Sequence, residues 1–65
     1  MDKYFLKDRE VSEADAATAW FDHAGNHGID IARAISLWEN ASDIDGDDSR
    51  RAVAQAGIRV EVDRH

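Results

Sequence analysis

Ile58-Arg59-Val60-Glu61-Val62-Asp63 alternates apolar and charged residues without a miss. That period of two is the mark of a strand with one buried face, so Ile58, Val60 and Val62 are expected to point inward and Arg59, Glu61 and Asp63 outward. A lone strand is not stable in water. The only other stretch that can pair with it is Lys3 to Arg9, where Tyr4-Phe5-Leu6 form a short apolar run between charges. Aromatic residues suit a half-buried pleated surface. The stretch between these two segments reads as three helices and their connections. The predicted fold is therefore α+β, one small domain over residues 1–65 in the order β-α-α-α-β, its two terminal strands paired against a helical layer.

Working inward, Ser12 followed by Asp15 marks the start of a first helix, as a variant of the capping box with Val11 able to pack back on Ala16. Ala17, Trp20, Phe21 and Ala24 share one helical face, with Asp15, Thr18 and Asp22 opposite, and a stop is expected near Gly25. A second helix follows Asp30 as N-cap and Ile29 as staple. Its apolar stripe is Ile31, Ala34, Ile35 and Trp38, widened by Leu37 and Ala41, and it should end between Asn40 and Ser42. Asp43 to Asp48 is a loop by composition, and Asp47 or Asp48 is expected to cap a third helix over Ser49–Ala56, with Ala52, Val53 and Ala56 inward. Gly57 then ends that helix. The expected core is Leu6, Trp20, Phe21, Ile31, Ile35, Trp38, Val53, Ile58, Val60 and Val62. Truncating Trp38 should cost about 3–5 kcal/mol if it is fully buried.

Sixty-five residues allow one domain, and the chain has neither Cys nor Pro. Disulfides and thiolate ligands are thereby excluded. No apolar run approaches the ~20 residues that span a bilayer, and the first eight residues lack the pattern of a signal peptide, so a cytoplasmic setting is expected. Periodic apolar residues argue for a folded chain over a disordered one.

Charge is regional. The net charge is −6, yet residues 10–48 hold ten carboxylates and Arg33 as their only base, for a local net of −9, while residues 1–9 and 49–65 carry +1 and +2. Direct nucleic-acid binding is disfavoured, because phosphates need cations. A helix-turn-helix reading of the second and third helices fails for the same reason: the segment between them carries four Asp. A concentrated negative region instead attracts basic protein partners and speeds encounter with them. The expected contact residues are Glu10, Glu13, Asp15, Asp22, Glu39, Asp43, Asp45, Asp47 and Asp48. Each can accept charge-assisted hydrogen bonds from Arg or Lys.

No catalytic constellation stands out. Ser12, Ser36, Ser42 and Ser49 sit in no nucleophile motif, there is no Gly-rich phosphate loop, and enzymatic activity is not expected. His23 and His27 are four apart, a spacing that can bring two imidazoles together. Gly25 makes continuous helix doubtful there, and a third ligand would have to come from Asp22, Asp30 or His65. A calcium loop begun at Asp43 would need Gly at its sixth position and Glu at its twelfth, where the chain has Asp48 and Ala54. No metal or cofactor is expected.

With its size, acidic middle and β-α-α-α-β order, and with stretches such as Ala19-Trp20-Phe21-Asp22-His23-Ala24 and Ala56-Gly57-Ile58-Arg59-Val60-Glu61-Val62, the chain resembles the small phage-borne anti-CRISPR proteins, in particular those acting on type I-C systems. The resemblance is one of whole-chain character, and no individual residue is carried over from it. It implies an inhibitor of a bacterial CRISPR surveillance complex of the Cascade type, acting as a DNA mimic on the cationic surface, such as that of the DNA-recognising large subunit, that would otherwise hold target DNA. It implies no direct contact with nucleic acid or membrane, and a monomer or weak homodimer in the host cytoplasm. The alternative from charge alone is a small acidic antitoxin or regulatory adaptor on a basic protein.

Overall fold

The N-terminal segment is a hairpin and not the single strand expected over Lys3–Arg9. A computed structural model describes residues 2–62 and places β1 at Lys3–Leu6 and β2 at Arg9–Val11, antiparallel, with Tyr4 opposite Val11 and Leu6 opposite Arg9. Lys7 and Asp8 form the turn with φ of 52° and 66°. Two successive positive φ values are the signature of a type I′ turn, which follows the right-handed twist of a hairpin. Such turns favour Asn-Gly or Asp-Gly, so Lys7-Asp8 carries little of the usual signal. Part of the compensation is tertiary: the Lys7 amide donates to the Gly57 carbonyl at 2.8 Å, tying the turn to the start of the last strand.

That last strand, β3 (Ile58–Glu61), pairs antiparallel with β1, with Tyr4 opposite Val60 and Leu6 opposite Ile58. Its expected last residue, Asp63, lies outside the described residues, as do Met1, Arg64 and His65. The sheet order is β2-β1-β3, and the alternation in β3 holds: Ile58 and Val60 are buried, Arg59 and Glu61 exposed. The fold is thus a small α+β domain, with the two terminal segments adjacent and β2 added at one edge.

Helix α1 spans Glu13–Asn26, with the Ser12 hydroxyl accepting from the Asp15 amide at 3.1 Å. It runs past the expected stop at Gly25. The chain reverses at Gly28 (φ +70°), where the Gly28 amide reaches the Gly25 carbonyl and the Ile29 amide reaches the Ala24 carbonyl at 2.9 Å. These two bonds make a Schellman motif, in which the glycine supplies the left-handed residue. Its buried line is Ala16, Trp20 and Ala24, with Ala17 and Phe21 half-buried beside it. Helix α2 spans Ile31–Ala41 behind the Asp30 cap, whose carboxylate accepts from the Ala32 amide.

The expected stripe of α2 is corrected by the structure. Ile31 and Ile35 are 71% and 43% exposed, while Ala34 and Ala41 are buried and Leu37 and Trp38 pack at the margin of the core. The reason is close helix contact. The Trp20 indole donates from Nε1 to the Ala34 carbonyl at 3.0 Å in the interior, which requires the α2 backbone to approach α1. Small residues permit that approach, so the alanines face inward and the isoleucines rotate out. Trp38 is accordingly half-buried, its ring stacked on Tyr4 with centroids 5.7 Å apart. The largest fully buried side chains are Trp20, Ile58 and Val53. Phe21, Leu6 and Val62 pack at the margin.

Helix α3 spans Asp47–Ala54, starting two residues before the expected Ser49 and ending two before Ala56. Gly46 is its N-cap, with no side-chain cap bond, so neither Asp47 nor Asp48 caps it; both lie in the first turn. Ser49 and Val53 face inward, and Ala52 and Ala56 are half-buried. Gly46 is itself buried, and a Cβ there would collide with the Asn40 carbonyl. Gly46→Ala should therefore lower stability by about 1–3 kcal/mol, as overpacking against backbone does; a melting curve superimposable on the parent would refute that packing.

Candidate partner-binding surface

All nine carboxylates expected to meet a partner are exposed. The fold distributes them unequally. Glu13, Asp15 and Asp22 lie along α1, Glu39 near the end of α2, and Asp43 and Asp45 in the α2–α3 connection. None of these six forms an ion pair with another described residue. Asp43, Asp45 and Asp48 converge on a polar hollow of about 260 Å³ with Asn40, Gly46 and Ser49.

Glu10 stands apart. It is opposite Phe5 on the sheet, and Phe5 shares the face of Lys3, Arg59 and Glu61, away from the buried Tyr4, Val60 and Ile58. That face is mixed in charge. The Arg59 guanidinium sits 4.3 Å from the Phe5 ring centroid, a cation–π contact, with its Nη1 3.5 Å from Asp8 and its Nε 3.3 Å from Glu61.

Asp47 and Asp48 are also distinct, because each has a local base: Asp47 pairs with Arg50 and Asp48 with Arg51, three residues on. Arg33 is the only base inside the acidic block, but these two carboxylates find their cations outside it. Both arginines lie just beyond the acidic block, and the helix brings them back beneath it.

Arg50 does more than neutralise. Its side chain is only 16% exposed, and it donates to the carbonyls of Ala41, Asp43 and Ile44 as well as to the Asp47 carboxylate. One planar fork thus closes the C-terminal end of α2, where carbonyls lack helical partners, and holds the acidic connection against α3. Sequence spacing gave no warning of this role; i, i+3 pairing with Asp47 was the only local signal. Arg50→Ala should cost about 1–2 kcal/mol, chiefly through the Ala41 carbonyl it would orphan at a buried residue, and Arg50→Lys should not restore it, since an ammonium lacks the fork geometry. Thermal unfolding of the two variants checks both points; a lysine variant as stable as the parent would show that charge alone suffices.

His23 and His27 do come together, since α1 continues through Gly25. Their ring centroids are 4.1 Å apart, and His23 also stacks on Trp20. Among the described residues, no group of three or more His, Cys, Asp or Glu is placed to hold a metal ion. A chelator such as EDTA is expected to leave the thermal midpoint unchanged; loss of folding on chelation would contradict that expectation.

The arrangement is one for presenting charge. The helices and the Arg50-anchored connection carry these carboxylates at the surface. No described helix is long and apolar enough to cross a membrane. Comparison with protein-family models, with curated proteins and with solved structures finds no match to this chain.

Proposed function

We propose that this domain is an inhibitor that occupies the cationic DNA-binding surface of a CRISPR surveillance complex of the Cascade type, standing in for DNA. The observation that carries the reading is the set of exposed carboxylates that form no ion pair with another described residue, Glu13, Asp15, Asp22, Glu39, Asp43 and Asp45, on a domain whose residues 10–48 carry a net of −9. Duplex DNA presents one negative charge per about 1.7 Å of axis, and its binding sites are lined with Arg and Lys to match. The longest dimension of the domain is 35 Å, comparable to one turn of duplex, so it can lie along such a channel. Inhibition by occupancy requires rigidity, and Arg50 supplies it to the acidic connection. The bacterial cytoplasm is where this encounter would occur.

The test is a competition. A type I-C surveillance complex is incubated with the domain and a labelled target duplex. Mutually exclusive binding supports the proposal. Simultaneous binding of domain and duplex, or no binding to the complex, would remove it.

A further inference from the structure

Strand β3 is an edge strand, since among the described residues it pairs only with β1. A groove of about 440 Å³ opens beside the start of the strand. Its lining joins Ile58, Arg59 and Val60 to Ala54 of α3 and to Lys7 and Asp8 of the hairpin turn, so it lies at the turn end of the sheet. Proteins commonly blunt such an edge with charged side chains, lysine above all, or with proline. This one carries charges of opposite sign, Arg59 and Glu61, two residues apart.

We propose that the β3 edge is a homodimer interface, on which β3 of a second copy of this chain adds antiparallel, with Val60 opposite Val60 of the second copy. The register follows from chemistry. Centred on Val60, a two-fold axis sets Arg59 opposite Glu61 of the other copy, and Glu61 opposite its Arg59. Ile58 meets Val62 on the inner face, twice. A shift of one residue would bring outer and inner faces together and put the helical layers on opposite sides of the sheet. Centring on Arg59 or on Glu61 would set like charges directly opposite, which is destabilising. The two-fold contact is self-complementary, as an isologous interface must be, and it makes one six-stranded sheet.

Two further observations favour this occupant. Arg59 lies over the Phe5 ring with Nη1 near Asp8 and Nε near Glu61, and its side chain remains 54% exposed, so in the register centred on Val60 the Arg59–Glu61 pairs of the two copies come side by side with opposite charges facing. The opposite edge, β2, cannot offer the same match: its central residue is Glu10, so a two-fold pairing there would set two carboxylates face to face. The contact is small, and each copy carries a net charge of −6, so association is expected to be weak and concentration-dependent. It is best measured at physiological salt, where repulsion beyond about 8 Å is screened.

The experiment is analytical ultracentrifugation of the full chain up to millimolar concentration, with three samples beside the parent: Arg59→Glu, Glu61→Arg, and an equimolar mixture of the two. Each single variant sets like charges opposite each other at both symmetric pairs and should weaken self-association by about tenfold or more. The mixture should recover it, because the carboxylate introduced at position 59 meets the guanidinium introduced at position 61, and the native Arg59 and Glu61 meet each other. Circular dichroism establishes that both variants are folded. A parent that stays monomeric throughout, single variants that associate as well as the parent, or a mixture of folded variants that does not recover association would each overturn the interface.

Discussion

Replacing Trp20 with alanine should leave most of the chain unfolded at room temperature. Trp20 is fully buried and is the largest side chain in the core, and its indole N–H is satisfied by the Ala34 carbonyl. Truncation removes the ring, leaves a cavity between α1 and α2, and costs about 3–5 kcal/mol. A core of this size supplies about the same total, with no disulfide to supplement it. Trp20→Phe keeps much of the apolar volume and loses the indole N–H bond, so a cost of about 1–2 kcal/mol is expected. Trp38→Ala should fall well short of Trp20→Ala, because Trp38 is half-buried and stacks on Tyr4 at the core margin. Thermal and urea unfolding of the three variants gives the ranking. A Trp20→Ala protein that melts within a few degrees of the parent would show that the α1–α2 contact does not hold the domain together.

Reversing the exposed carboxylates should abolish partner binding without unfolding the protein. Two variants test separate parts of the surface: Asp15 and Asp22 to Lys on α1, and Asp43 and Asp45 to Lys in the connection before α3. Each changes the net charge by four and replaces attraction to a cationic groove with repulsion, for which a loss of about a hundredfold in affinity is expected. Asp47 is left out by design, since its carboxylate pairs with Arg50 and its reversal would disturb the connection itself. Binding by the parent should weaken steeply as salt rises. Arg33→Ala, on the exposed side of α2, should change affinity much less. The measurement is the dissociation constant of each folded variant for the surveillance complex, with target duplex as competitor. Unaltered affinity in both reversal variants would end the mimicry reading and leave an adaptor on some other basic surface.

The structure also shows why the surface was only partly readable. Exposure of all nine carboxylates follows from their positions opposite apolar stripes or in a polar loop, and composition carries that information. Their pairing does not follow, because Arg50 and Arg51 meet Asp47 and Asp48 only once α3 starts at Asp47 and not at Ser49. Glu10 was grouped with the acidic block by its place in the chain. The hairpin turn sets it opposite Phe5, on the sheet face that also carries Lys3 and Arg59.

Local pattern was enough for the existence of three helices, the Ser12 and Asp30 caps, the strict alternation of β3 and its pairing with the first strand. In each case a short-range rule, such as period, capping chemistry or the need of a strand for a partner, has one solution in this sequence. Tertiary structure decided the rest. The Lys7-Asp8 turn is tied down by a hydrogen bond to Gly57, fifty residues away in the chain. Ala34 and Ala41 face inward as their places in the stripe require, but the close approach of the α2 backbone to Trp20 at Ala34 leaves Ile31 and Ile35 exposed. Hydropathy ranks isoleucine above alanine, but the space between two helices ranks them by size. In this protein the second ranking prevails.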